Sequence, residues 1–193
     1  GTHPPPVLSR FSPWKELREG LQYVWKTPHL QAAMWIAVLV NFTAFPLSIG
    51  LLPYVAREVF GTNQTGLGYL MASFAIGSLV GSIILGMVGH KVRPARAMIF
   101  FAIAWHVFLA MFVWVDQLFL GMILMGLAGL AHNLSLVPLV GLLMRTSDPA
   151  LRGRVMGVRM LAIYTLPISL MVAGWLIDSI NFHRTMSLYM VIG

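Results

Sequence analysis

The sequence predicts an all-α integral membrane protein, and three observations carry that prediction. Of its 193 residues, 58% are hydrophobic and only 10% charged, where a soluble domain carries about 25% charged residues. So few charges cannot clothe a water-facing surface. The apolar residues are gathered into five full runs, and the start of a sixth, near the roughly 20 residues that a helix needs to cross a bilayer. The basic residues fall in short stretches between those runs and not on a polar domain. The net charge of +7 is therefore a topological signal and not the footprint of a nucleic-acid binder.

The elements follow in order. Residues 1–10 are proline-rich and read as a linker. Residues 12–26 read as a helix, with Ser12 as N-cap and Pro13 at the first helical position. Phe11, Trp14, Leu17, Leu21 and Val24 recur at helical spacing, with Lys15, Glu16, Arg18 and Glu19 between them. This is the pattern of an amphipathic helix lying on a membrane surface. Residues 1–29 thus form a linker and a surface helix, and residues 30–193 a transmembrane bundle. Its spans are expected at about 30–53, 66–88, 96–115, 118–144 and 154–177, with a truncated sixth at 185–193. The chain opens without an initiator Met or a signal-peptide pattern and closes inside an apolar run, so a piece of a longer protein is expected.

Charge decides orientation. Eleven of the thirteen Lys and Arg residues lie in the leading segment or in the stretches after the second and fourth spans, and only Arg57 and Arg184 lie on the opposite side. The leading segment and both basic loops are therefore expected in the cytoplasm. None of the six acidic residues lies within a span, whereas Pro46, Pro138 and Pro167 do. Each such proline frees a carbonyl that a neighbour or water must satisfy. The chain has no cysteine, hence no disulfide or thiolate metal site. It has no phosphate-binding loop, no metal-ligand spacing and no paired carboxylates, so neither an enzyme nor a bound cofactor is expected.

Several features point to function. The first basic loop runs Gly86-Met-Val-Gly-His90-Lys91-Val-Arg93-Pro94-Ala-Arg96, and the second Asp148-Pro149-Ala-Leu151-Arg152-Gly153-Arg154-Val-Met156-Gly157. In the second, Asp148 is placed to cap the next helix, with Pro149 at its first position. The second span spaces Gly77 and Gly81 as small-xxx-small, a pattern that lets helices approach closely in lipid. Polar groups inside a membrane are functional candidates by default, and Asn41, His106, His132 and Asn133 lie near span centres. Histidine titrates near neutral pH, which makes His132 a proton-relay candidate. Phe42, Phe45, Phe74 and Tyr164 could line an apolar pocket. Asn63-Gln64-Thr65 matches a glycosylation acceptor, which bears on a eukaryotic secretory protein only.

The first loop resembles the signature loop of the major facilitator superfamily, with Gly86 and Lys91 matching. His90 stands where an Asp is expected, Arg93 where a second Gly is expected, and Pro94 and Ala95 replace two bases before Arg96. The second loop and the segment Ser12-Pro13-Trp14-Lys15-Glu16-Leu17-Arg18-Glu19-Gly20-Leu21 resemble the transmembrane secretion effector branch of that family, the branch of enterobactin-exporter-like proteins. The resemblance implies spans seven to twelve, the last truncated, of a twelve-span carrier: the C-terminal six-helix bundle, partnered by a missing N-terminal half of the same chain. It implies proton-coupled efflux of a small amphiphilic molecule, a drug or a siderophore, by alternating access across a bacterial inner membrane. It places Asn41, His132 and Asn133 on cavity-lining helices, where the adjacent His132 and Asn133 point about 100° apart so that one of the two faces the cavity, and His106 on an outer, structural helix; Phe45 and Tyr164 complete the substrate-cavity candidates as apolar lining. It assigns Gly86, His90, Lys91, Arg93, Arg96, Asp148, Arg152, Gly153 and Arg154 to the cytoplasmic gate, where Arg152 and Arg154 would pair with gate carboxylates or lipid phosphates. It implies that the glycine-rich span packs against the other half. The competing expectation is a multi-span membrane protein that serves assembly or interaction without transport.

Overall fold

The computed structural model describes residues 13–88 and 93–193, and among them there is helix and no strand. Ser12, Phe11, the linker, His90 and Lys91 lie outside the described residues. The helices are α1 (Pro13–Lys26), α2 (Pro28–Phe45), α3 (Leu52–Tyr54), α4 (Gln64–Val88), α5 (Pro94–Val113), α6 (Leu118–Thr146), α7 (Arg152–Ile163), α8 (Thr165–Ile180) and α9 (Phe182–Ile192). Five helical runs are long and apolar enough to cross a bilayer: Pro28–Gly50, Gln64–Met87, Pro94–Val113, Leu118–Thr146 and Arg152–Ile180.

α6 is the spine of the molecule, with α4 along one side and α5 along the other. Glycine makes the first contact possible. A Cβ on Gly77 of α4 would run into the Gly126 carbonyl of α6, and one on Gly129 of α6 would run into the Phe74 carbonyl of α4. Ser78 Oγ donates to the Gly129 carbonyl at 3.0 Å across this seam. On the other side, Ser135 Oγ donates to the Met98 carbonyl of α5 at 2.9 Å. The small face of the second span, expected to meet a partner half, is thus spent on α6. The face opposite it, with Ile76 and Leu79 about three-fifths exposed, is the open one.

The proline positions bend their helices in different ways. Pro46 cannot offer an N–H to the Phe42 carbonyl. There the first span widens into a π-helical turn at Pro46–Gly50, closed by Leu51 N–H to the Pro46 carbonyl at 2.7 Å. After α3, which contains Pro53, a second such turn covers Val55–Val59. Pro138 lies inside an α6 that stays continuous. The fifth span, expected as one helix, is interrupted. α7 ends at Tyr164, whose N–H turns back to the Leu161 carbonyl at 3.1 Å, and α8 begins at Thr165. Pro167 leaves the Ile163 carbonyl without its i+4 donor, so the ladder stops there.

One side of α1 packs on α7 and α2. Val24 is buried in a core with Leu30, Leu139 and Val155, while Trp14 and Trp25 of the same helix face outward. Asp148 does not cap α7, which starts only at Arg152 after Leu151. Its Oδ1 accepts from Ala150 N–H at 2.8 Å and caps the preceding turn. Asn63 is used in the same way, its Oδ1 accepting Thr65 N–H at 3.0 Å at the start of α4.

Candidate functional site

Four helices converge on His132 of α6. Its ring lies edge-on to Trp105 of α5 at 4.8 Å between centroids and to Phe45 of α2 at 5.4 Å, and tilted to Phe74 of α4 at 5.2 Å. Phe45 and Trp105 in turn meet edge-on at 5.1 Å. Such contacts hold a ring by its quadrupole and offer it no hydrogen bond. His132 Nδ1 is buried with no hydrogen-bond partner among the described residues, and so is Asn133 Oδ1 one residue on. A buried polar atom left unpaired costs about 1–3 kcal/mol. The two stand side by side in the middle of α6.

The polar groups around this pair are satisfied. Trp105 Nε1 donates to Ser48 Oγ at 3.3 Å, and Ser48 Oγ to the Ala44 carbonyl at 2.9 Å. His106 is bonded at both nitrogens, to Thr43 Oγ1 and to the Ala102 carbonyl, each at 2.8 Å. It ties α5 to α2. Asn41 is buried, and its amide donates to the Ala37 carbonyl of its own helix at 2.8 Å. Asn133 lies against Gly81 of α4 and so shares the α4–α6 seam. Tyr164 stands apart at the α7–α8 break, 69% exposed. The structure therefore brings together Phe45 and His132, places Asn133 beside them on the seam, and leaves Asn41 and Tyr164 separate.

A second cluster joins α2, α8 and α9. The carbonyl of Phe42, orphaned by Pro46, accepts the hydroxyl of Ser169 of α8. The carbonyl of Ser169 accepts the hydroxyl of Tyr189 of α9 at 2.8 Å, and the Tyr189 ring stacks on Phe42 at 5.8 Å. Sequence reasoning identified the orphan carbonyl at Pro46 but not its donor, since nothing in the order of residues says which hydroxyl will arrive.

The basic loops occupy the end of the bundle where α1 docks. Arg154 pairs with Glu19 of α1. A Cβ on Gly20 would press on the Arg154 carbonyl, so α1 and α7 touch backbone to backbone there. Tyr23 Oη accepts the N–H of Asp148 at 3.1 Å. Arg152 is half-buried, its Nε without a partner among the described residues. Gly86, Arg93, Arg96 and Gly153 are exposed, Arg93 preceding the first turn of α5. Among the described residues no group of three His, Asp or Glu side chains could hold a metal ion.

Five apolar spans around a cluster of polar and aromatic side chains define a multi-span α-helical integral membrane protein. The Major Facilitator Superfamily model matches residues 34–193, and the chain belongs to that family. It is 27% identical over 169 residues to the multidrug efflux pump Tap of Mycolicibacterium fortuitum, covering 86% of this chain and 41% of that protein. It is 23% identical over 155 residues to the enterobactin exporter EntS of Escherichia coli O1:K1, covering 80% of this chain and 36% of that protein. The chain thus spans about two-fifths of the length of the curated relatives it matches.

Proposed function

We propose that this chain is the C-terminal half, spans seven to twelve, of a twelve-span secondary transporter. It exports a small amphiphilic molecule, a drug or a siderophore, by proton-coupled alternating access. The observation that carries this reading is the unpaired His132–Asn133 couple, set among aromatic rings in the middle of a spanning bundle. Buried polar groups of this kind are costly and mark substrate or ion paths, and carriers place substrates near the midplane between their halves. His132 and Asn133 would meet the substrate's polar groups, with Phe45 as the apolar wall and Asn41 and Tyr164 at the margins of the cavity.

The uneven burial of the spans supports a partner half. Only 17% of the Gln64–Met87 window and 17% of the Arg152–Ile180 window are buried, against 44–56% for the others. The open faces of α4 and α7–α8 would close against spans one to six. The coupling carboxylate would lie in that half, since the one acid within a spanning run here, Asp178, stands at the very end of Arg152–Ile180 and none lies near a span centre. The leading segment and basic loops would face the cytoplasm of a bacterial cell, the protein sitting in its inner membrane.

The test is ethidium efflux from cells that express the full-length protein, measured across pH 6–8. His132→Ala is expected to slow efflux or to shift its pH dependence while leaving the membrane level of the protein intact. Efflux unchanged at every pH would remove His132 from the mechanism.

A further inference from the structure

Docking of α1 creates a groove of about 190 Å³ away from the His132 cluster. Its walls are Leu21 and Trp25 of α1, Trp35 and Val38 of α2, and Leu161 and Ala162 of α7. Trp25 and Trp35 form its mouth, 6.5 Å apart between centroids and both more than half exposed. A second, more open hollow shares Leu21 and Trp25 with the groove and is lined also by Gln22 and Lys26. The site is thus an apolar slot with a cation at one end. Indole rings at its mouth suit the headgroup boundary of a bilayer.

We infer that this groove binds an anionic phospholipid, one acyl chain in the slot and the headgroup phosphate on Lys26. The charges along α1 favour that order. Its acids, Glu16 and Glu19, stand in its first half, and Glu19 is engaged with Arg154. Lys26 is exposed at its C-terminal end, beside Trp25. Gln31, the amide in the groove lining, offers a donor to an ester carbonyl. The occupant is a lipid because a slot opening to the bilayer meets chains there at high concentration, and an anionic one because the charge at its open end is positive. The inference stands apart from the transport reading, as it needs only membrane insertion.

The experiment reconstitutes the full-length protein in phosphatidylcholine vesicles. They are doped with brominated phosphatidylglycerol or, at equal bromine content, brominated phosphatidylcholine. Bromine quenches tryptophan on contact. One lysine at a membrane surface enriches an anionic lipid about fivefold, so phosphatidylglycerol is expected to quench clearly more at low mole fraction. Lys26→Gln should abolish the excess, and so should the double variant Trp25→Phe, Trp35→Phe. Equal quenching by the two lipids, or an excess that survives Lys26→Gln, would show ordinary boundary lipid and overturn the proposal. An excess that survives the double tryptophan variant would place the anionic lipid elsewhere and overturn it too.

Discussion

The α4–α6 seam and the α2–α8–α9 junction join helices by opposite means. In the seam, glycines bring backbones together, so that Gly77 faces the Gly126 carbonyl and Gly129 the Phe74 carbonyl with no room for a methyl group. In the junction, side chains reach across: Ser169 to the Phe42 carbonyl, and Tyr189 to the Ser169 carbonyl. Lipid gives neither a hydrophobic drive, so packing and hydrogen bonds must do the work. A glycine seam has one fitting arrangement and resists sliding. A hydroxyl on a carbonyl can let go and find another, and this junction lies beside the widened turns of the first span. The difference assigns rigidity to α4–α6 and adjustability to the first span.

Three substitutions test that contrast. Gly77→Ala should be the most damaging, because its new methyl meets backbone and not a side-chain end that can swing away. Overpacking of this kind costs about 1–3 kcal/mol, and it should appear as a lower midpoint in thermal unfolding of the detergent-solubilised protein. Wild-type stability would mean that the seam slides after all. Ser169→Ala removes one hydroxyl and re-orphans the Phe42 carbonyl. Interhelical hydrogen bonds in membranes average about 0.6 kcal/mol, so a smaller drop in the same midpoint is expected. Amide exchange at the Pro46–Gly50 turn should rise, and exchange along α6 should not. Glu19→Gln should do least to stability, since a half-exposed ion pair is worth about 0–1 kcal/mol. Its mark should be faster exchange confined to α1, growing as salt is lowered. Exchange unchanged in α1 would mean that Gly20 and Tyr23 suffice to hold it.

Much of this was legible in the residue order. Length and hydropathy place the five spans, because lipid demands near-continuous apolar runs. The breaks were harder. Pro138 and Pro167 are alike in sequence, yet α6 runs on through the first while the fifth span stops before the second, because α6 is supported on both flanks by α4 and α5. The site was legible in part for the same reason. A polar residue in an apolar run is visible at once, so His132, Asn133, Asn41 and His106 stand out, but composition does not separate the bonded from the unbonded. His106 finds Thr43 sixty-three positions away, whereas His132 finds only rings. Nor does the sequence reveal that Arg154 would meet Glu19, since surface pairing across 135 positions depends on where α1 docks. Charge patterning predicts a side of the membrane, not a partner.

Pro46 and Ser169 are chemically one feature written at two places in the chain. The serine hydroxyl matters because the proline withholds an N–H. Replace Pro46 by any residue with an amide hydrogen and the Phe42 carbonyl regains a local donor, after which Ser169 is free to drift. Replace Ser169 first and the proline becomes a liability. The two sites therefore carry a history-dependent constraint: what is tolerated at one depends on which residue has already changed at the other. Descendants of this chain should lose the pair more readily in one order, proline before serine.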